Sequence, residues 1–394
     1  MVNERRQVMP HGGNAMKEVI LQAAQAERRA VPRSAMVACK LAFIDCKLPG
    51  SDQKENYSII GAGVTQSKDQ VVNLTEPHGF SVGAAAMPPG VTNNLHLHFT
   101  AEVFLIHSGR WRFRWGVGEQ AGEIEGGPGD VLSIPTWIFR GFSNVGEDKG
   151  WIFTALGGDD TGGIIWHPDV LKAAAGYGLY LGQDNSLIEG APGRPPEGPL
   201  VEPLSQADLD ALPRYDARAM RARLQRGADL DWSSHALLGA SPGCELAPVI
   251  GHGLSEDARQ RAPMLDVHGF SVDWLRLGKG ASTGRHLLHG KLVLLVFEGA
   301  VDIILNKPDQ AVAIRVEAQG VYSLPAEVWR EIRQAGDRPA LLSLVASGDA
   351  RKRLVWDAGA LRQAEERGVT LDPGGYLSER RLLPLTAHGV GFAD

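Results

Sequence analysis

The sequence predicts an all-β protein built from two tandem copies of one domain. Its 394 residues include 48 Gly and 23 Pro, a density of turn formers that suits many short strands. It also repeats itself at a fixed offset of 190 residues. HGFSV stands at 78–82 and again at 268–272, and IIGAGV at 59–64 faces VIGHGL at 249–254. Gly90 faces Gly280, His96 faces His286, Gly109 faces Gly299, Arg140 faces Arg330 and Trp166 faces Trp356. SIP at 133–135 faces SLP at 323–325, and the single offset serves from about residue 59 to about residue 182. Solenoid repeats run to roughly 20–50 residues, so a repeat this long means a duplicated domain.

The segments follow in chain order. Residues 1–55 read as an N-terminal arm, with helical composition and spacing at 13–34. Residues 56–189 form the first copy, which ends in the helix-like DVLKAAAGYG (169–178). Residues 190–245 join the copies. Within them GAPGRPPEGPLVEP (190–203) is an extended linker. Residues 204–226 are helix-like, with Pro213 as a break. Residues 246–372 form the second copy, closed by AGALRQAEERG (358–368), and 373–394 is a tail. Both helical patches end in Gly, a frequent helix stop.

The most informative stretch is GVTNNLHLHFTAEVFLIHSG (90–109). His96, His98 and Glu102 fall at i, i+2 and i+6, all even separations, and the flanking Val103–Phe104–Leu105–Ile106 run is strand-like. Along one strand, even separations put side chains on one face. Two imidazoles and a carboxylate then project into one space, the ligand set of a 2-His-1-carboxylate metal site.

Gly90, His96, His98, Glu102 and Gly109 resemble the first sequence motif of the cupin superfamily. The second motif is similar to GDVLSIPTWIFRGFSN (129–144), where Gly129, Pro135 and Asn144 match. Trp137 stands where Gly is usual, and Arg140 stands where the third ligating His is usual. The resemblance implies two tandem jelly-roll (double-stranded β-helix) barrels with a few peripheral helices, a bicupin. Such duplicated barrels can mimic a dimer of single cupins by sheet pairing and exchange of helices. Metal ligands implied by the resemblance are His96, His98 and Glu102, holding one divalent transition metal. Fe(II) is the first expectation, with Mn, Ni or Zn as alternatives.

The second copy acts as an internal control. The positions facing His96, His98 and Glu102 are His286, Leu288 and Leu292, an apolar set, so the metal site is expected in the first barrel alone. His289 is out of phase and should face the other way. Arg140 has two readings. It can pair with Glu102 in place of a metal, since a guanidinium has no lone pair to offer. Alternatively it stands beside a three-ligand metal and docks an anionic substrate or an oxygen-derived anion, which makes it the candidate catalytic residue.

Other features read as structural. In RWRFRW (110–115), Trp111, Phe113 and Trp115 face Val301, Ile303 and Leu305 and should be core, with the arginines outward. Either tryptophan could still line a pocket mouth, and Trp137 either shapes a pocket or fills it. His78 and His268 recur in both copies and should serve the fold. His107 should point away from the site, and His167 is a loop histidine without a visible partner.

The expected function is a non-haem metal-dependent dioxygenase acting on a small aromatic or diketone/carboxylate substrate, and the resemblance to gentisate- and quercetin-type dioxygenases is at the level of the superfamily only. Its alternatives are another cupin enzyme (isomerase, lyase or decarboxylase) or a non-catalytic small-molecule-binding cupin. The formal charge of −6 and the lack of a long basic run argue against nucleic acid as a partner. No apolar run is long enough for a membrane span, and none reads as a signal peptide. Three cysteines make no disulfide framework, so a cytoplasmic protein, with homo-oligomer formation left open, is the expectation. GAGV (61–64) lacks the G-x-G-x-x-G dinucleotide spacing, and no G-x-S-x-G is present.

Overall fold

A computed structural model describes residues 18–383 of the chain. In the first copy, the larger of two sheets has seven strands. Their order is Leu224–Gln225, Val131–Ile134, Glu102–Ser108, Gly150–Gly157, Phe80–Met87, Glu55–Ile60 and Val72–Leu74. A five-stranded sheet opposes it, ordered Ile164–Trp166, Thr92–His98, Arg140–Asn144, Trp111–Trp115 and Gly122–Gly126. Phe104, Ile106, Leu132, Ile134 and Ile152 of the large sheet pack against Trp111, Phe113, Trp115 and Phe142 of the small one. The alternation in Trp111–Trp115 is thus the period-two pattern of a strand with one buried face. Arg110 just before that strand and Arg112 on it pair with Glu125, but Arg114 is half-buried, and its Nε and Nη2 lack partners.

The large sheet is buried on both faces, which explains its near-continuous apolar runs. Its other face (Val82, Val103, Leu105, Phe153) meets the matching face of the second copy (Val272, Val293, Leu295, Val345) in one shared core. The copies keep the 190-residue offset strand by strand. Phe80–Met87 corresponds to Phe270–Leu277, Glu102–Ser108 to Leu292–Glu298, Gly150–Gly157 to Ala340–Ser347, and the helix Pro168–Gly176 to Ala358–Glu366.

The copies also exchange arms. The helix Ala23–Glu27 and the strand Ala30–Val31 lead to the second copy, where Ala30 pairs with Tyr322. The helix Ala217–Arg221 and the strand Leu224–Gln225 return to the first, where Leu224 pairs with Leu132. Reciprocal contacts fasten the exchange. The rings of His78 and His268 hydrogen-bond Ser323 and Ser133 respectively, both at 2.7 Å. Arg29 pairs with Glu76 at 2.6 Å and Arg223 with Asp266 at 3.0 Å. The two histidines therefore serve the fold, by bridging the copies.

The expected helix at 13–34 is much shorter in the structure. Residues 13–17 lie outside the described residues, and Ala23–Glu27 is the helix that forms before Pro32 and the exchanged strand take over. At 204–226 two short helices, Gln206–Asp210 and Ala217–Arg221, flank Pro213. Part of the expected tail, residues 384–394, lies outside the described residues. Among the described residues no helix is long and apolar enough to cross a membrane.

Candidate functional site

His96 and His98 share the strand Thr92–His98, but Glu102 does not. Residues 99–101 turn the chain, and Glu102 opens the strand Glu102–Ser108 in the opposite sheet. The expected single strand is therefore two, because a jelly roll carries the chain from one sheet to the other at this point. The three side chains still meet, since the sheets face each other. Their candidate ligand atoms all lie within 4.8 Å of one another, and all three residues are buried.

The polar atoms of this cluster are poorly satisfied by the protein. His98 Nε2 stands 3.4 Å from Glu102 Oε2, and neither atom has a hydrogen-bond partner, nor does His98 Nδ1. Buried polar groups are rarely left so, each costing roughly 1–3 kcal/mol. His96 Nδ1 lies 2.6 Å from the Asn94 carbonyl, so the ring donates there and keeps its Nε2 lone pair free. Burial holds His96 well below the ordinary imidazole pKa, helped by the neighbouring His98 and Arg140 charges. Burial also lowers His98, against the pull of Glu102. Burial favours protonation of Glu102, but His98 and Arg140 outweigh it and hold the carboxyl below its usual range. Neutral imidazoles beside an ionised carboxylate are the states that bind a metal. The residues present therefore fit one.

Arg140 is fully buried and pairs in register with His96. Its Nη2 donates to the Pro135 carbonyl at 2.6 Å, while Nη1 stays 3.9 Å from Glu102 Oε2 and makes no hydrogen bond. In the second copy Arg330 Nη2 donates to the Pro325 carbonyl at 2.7 Å. The shared contact is the one to proline, so this arginine anchors a turn in both copies. Next to the site lies a cavity of about 70 Å³, lined by His96, His98, Glu102, Asn93, Gly83 and Thr154 among others. Arg140, Trp111, Trp115 and Trp137 are not among its lining residues. Trp137 is 44% exposed, packs edge-on against Phe99, and has φ +58°, the left-handed conformation that explains why Gly is usual there.

No family model matches the chain, and no curated protein does. Solved structures do match. An oxalate decarboxylase from Lactobacillus farciminis, in its formate complex, aligns with TM-score 0.54 and 12% identity, over 85% of this chain and 90% of that one. The 7S globulin of Momordica charantia aligns with TM-score 0.54 and 12% identity, over 89% and 98%. Hazelnut vicilin aligns with TM-score 0.52 and 12% identity, over 83% and 87%. The chain has the bicupin fold. At these identities the likeness concerns fold alone.

Within this bicupin fold the two barrels differ at the site. His286 keeps the pose of His96, its Nδ1 3.0 Å from the Gly284 carbonyl, but buried Leu288 and Leu292 replace the other two candidate ligands. His289 faces outward and pairs with Glu327 at 2.8 Å. His107 points away from the site as well, toward the second barrel, with Nε2 3.1 Å from the Phe297 carbonyl. His167 caps the helix Pro168–Gly176 by accepting from Asp169 N–H.

A supporting cluster escaped the sequence reading. Lys54 and Asp45, both fully buried, form an ion pair. Lys54 Nζ also donates to Asn93 Oδ1 at 2.5 Å, and Asn94 N–H and Nδ2 donate to Asp45 Oδ2 at 3.0 and 3.2 Å. Asp45 thereby fixes the residue whose carbonyl orients His96. One signal was available: Lys54, Asn93 and Asn94 face Cys244, Thr283 and Gly284, so this polar set is confined to the first barrel, like the candidate ligands.

Where the first barrel leaves space at Gly83, the second places Asp273. Its Oδ2 accepts from Leu254 N–H at 3.1 Å and its Oδ1 has no partner. Burial pushes this carboxyl up to about 7, against the Leu254 hydrogen bond and the Lys352 charge. An acid raised on folding binds more protons in the native state between its two pKa values. Native stability from Asp273 is thus complete near pH 4 and falls as pH rises toward 7, by at most about 4 kcal/mol. Asp273→Asn should unfold later than the parent at pH 8, by on the order of 2 kcal/mol in urea titrations, with little difference near pH 5. A residual slope should remain from Glu256, also raised to about 7 by burial. Equal pH dependence in parent and variant would exclude Asp273 as a source.

Proposed function

We propose that the first barrel binds one divalent transition metal through His96, His98 and Glu102 and is an enzyme for a small carboxylic acid. The unsatisfied buried atoms of His98 and Glu102, beside a small cavity, carry this reading. Such a metal would supply Lewis acidity, or redox chemistry if it is iron, and three protein ligands leave positions open for a substrate. This chain's own residues prepare the place. Asn94 fixes the His96 tautomer, and Arg140 helps keep Glu102 ionised. Phe142, Leu156 and Ile164 supply apolar wall.

Cavity size narrows the substrate. About 70 Å³ is half of the ~150 Å³ that admits benzene in an engineered protein core. That favours a substrate of a few non-hydrogen atoms, such as oxalate, over an aromatic ring. It also favours the decarboxylase or lyase form of the expectation over ring cleavage. Dioxygenase action on a small keto or carboxylic acid is the second form, supported by the set of two histidines and one carboxylate.

The test is reconstitution with Fe(II), Mn(II), Ni(II) and Zn(II) in turn, followed by metal analysis and assays on short-chain acids. About one equivalent of metal per chain is expected. CO2 release without O2 uptake supports a decarboxylase, whereas stoichiometric O2 uptake supports a dioxygenase. Under about a tenth of an equivalent of every metal removes the proposal.

A further inference from the structure

A second cavity, of about 460 Å³, lies where the two barrels meet. It falls within the roughly 300–1,000 Å³ usual for small-molecule sites. Trp232, Trp274 and Phe297 line it, together with Glu298, His107 and Gly227. None of these belongs to the metal site.

The arm exchange offers a comparison for it. Arg33 opens the short helix Arg33–Ala35 after the strand Ala30–Val31, and Gly227 opens Gly227–Asp229 after Leu224–Gln225. The two strands pair with Val321–Leu324 and Val131–Ile134 in matching register, so Gly227 takes the place of Arg33. On its side Arg33 lays its guanidinium 4.3 Å from the Trp151 ring and 4.8 Å from that of Tyr57, and donates to the Tyr57 hydroxyl at 3.0 Å. The chain fills that aromatic slot with its own cation. Position 227 has no room for the corresponding side chain, because even a Cβ would come within 2.9 Å of the Gly129 carbonyl oxygen.

The acceptors for a cation are nevertheless present. Glu298 ends the strand Leu292–Glu298 and has no ion pair among the described residues. His107 Nε2 faces the Phe297 carbonyl and donates to it, which leaves Nδ1 as an acceptor, and that atom is buried without a partner. Arg276 also lines the cavity, but its charge is matched by Glu245 at 2.6 Å, and it stacks 4.5 Å over Trp232.

We propose that this interface cavity binds a small organic cation with N–H donors, a guanidinium or primary ammonium head. Glu298 and His107 Nδ1 receive its hydrogen bonds, and the aromatic side chains face its charge. The ligand's head takes on this side the place that Arg33 takes on the other, against Trp274 and Phe297 where Ala247 and Leu341 stand in for Tyr57 and Trp151.

Titration of the full chain with ethylguanidinium, butylammonium and the neutral ethylurea, followed by tryptophan fluorescence and calorimetry, tests this. Both cations should give saturable binding and ethylurea none. Preference for ethylguanidinium would identify a planar head, and preference for butylammonium a compact one. Glu298→Gln, at an exposed strand end, should fold normally and weaken cation binding about tenfold. Trp232→Leu should weaken it several-fold. Absence of saturable binding, equal binding of ethylurea, or unchanged affinity in Glu298→Gln would each overturn the assignment.

Discussion

Replacing both His98 and Glu102 by leucine should abolish metal binding and, in the metal-free protein, raise stability by about 2 kcal/mol. The double change copies into the first barrel what the second already has, Leu288 and Leu292, both buried within the apolar core. The parent carries His98 Nδ1 and Nε2 and Glu102 Oε2 buried without hydrogen bonds. Removing both partners of an unsatisfied cluster is favourable where removing one is not. Arg330 shows that this arginine can be held without a facing carboxylate: its Nη2 donates to the Pro325 carbonyl, as Arg140 Nη2 does to that of Pro135, and its Nε donates to the Val328 carbonyl. Metal at about 100 times its Kd should stabilise the parent by about 2.7 kcal/mol and the double variant not at all. Urea unfolding with and without metal reads both effects. A large loss of metal-free stability in the variant would mean that His98, Glu102 and Arg140 form a structural ion cluster, and would sink the metal assignment.

The sequence exposed the topology because every principal strand of one barrel reappears 190 residues later, and substitutions between the copies separate what the fold requires from what it does not. Arg140 and Arg330 are the clearest case. Their recurrence pointed to a structural part for this arginine, and the contacts with Pro135 and Pro325 supply it. The candidate metal cluster was legible for a partly wrong reason. Parity along one strand picked three residues that do meet, yet Glu102 belongs to the opposite sheet, and convergence comes from the two sheets closing on each other. What stayed hidden depends on burial in irregular chain. Asp45 and Lys54 are nine residues apart, the first in a 3-10 turn and the second just before a strand, and no periodicity marks such a pair. Gly83 likewise lines the cavity where the second barrel has Asp273, a difference whose weight shows only once the sheets are assembled.

That hidden pair carries the second large effect. Lys54→Met should cost about 3 kcal/mol or more of folding free energy, because it leaves the Asp45 carboxylate buried without its cation. Both side chains are fully inaccessible, so water cannot take over. The Asn94 N–H and amide bonds to Asp45 Oδ2 remain, which places the cost toward the lower end of the range for broken buried pairs. Asp45→Asn in the same chain should recover most of the loss, since a neutral amide needs no counter-charge and its oxygen still accepts from Asn94. Metal affinity gives a separate readout. Lys54 holds Asn93, and Asp45 holds the Asn94 backbone whose carbonyl sets the His96 ring. Lys54→Met should therefore bind metal about 10- to 100-fold more weakly, the usual effect of losing a group that orients a ligand. The rescued double variant should regain stability before it regains affinity, because Asn93 still lacks the Lys54 donor. If urea unfolding and metal titration of Lys54→Met both match the parent, the pair neither supports the fold nor positions His96.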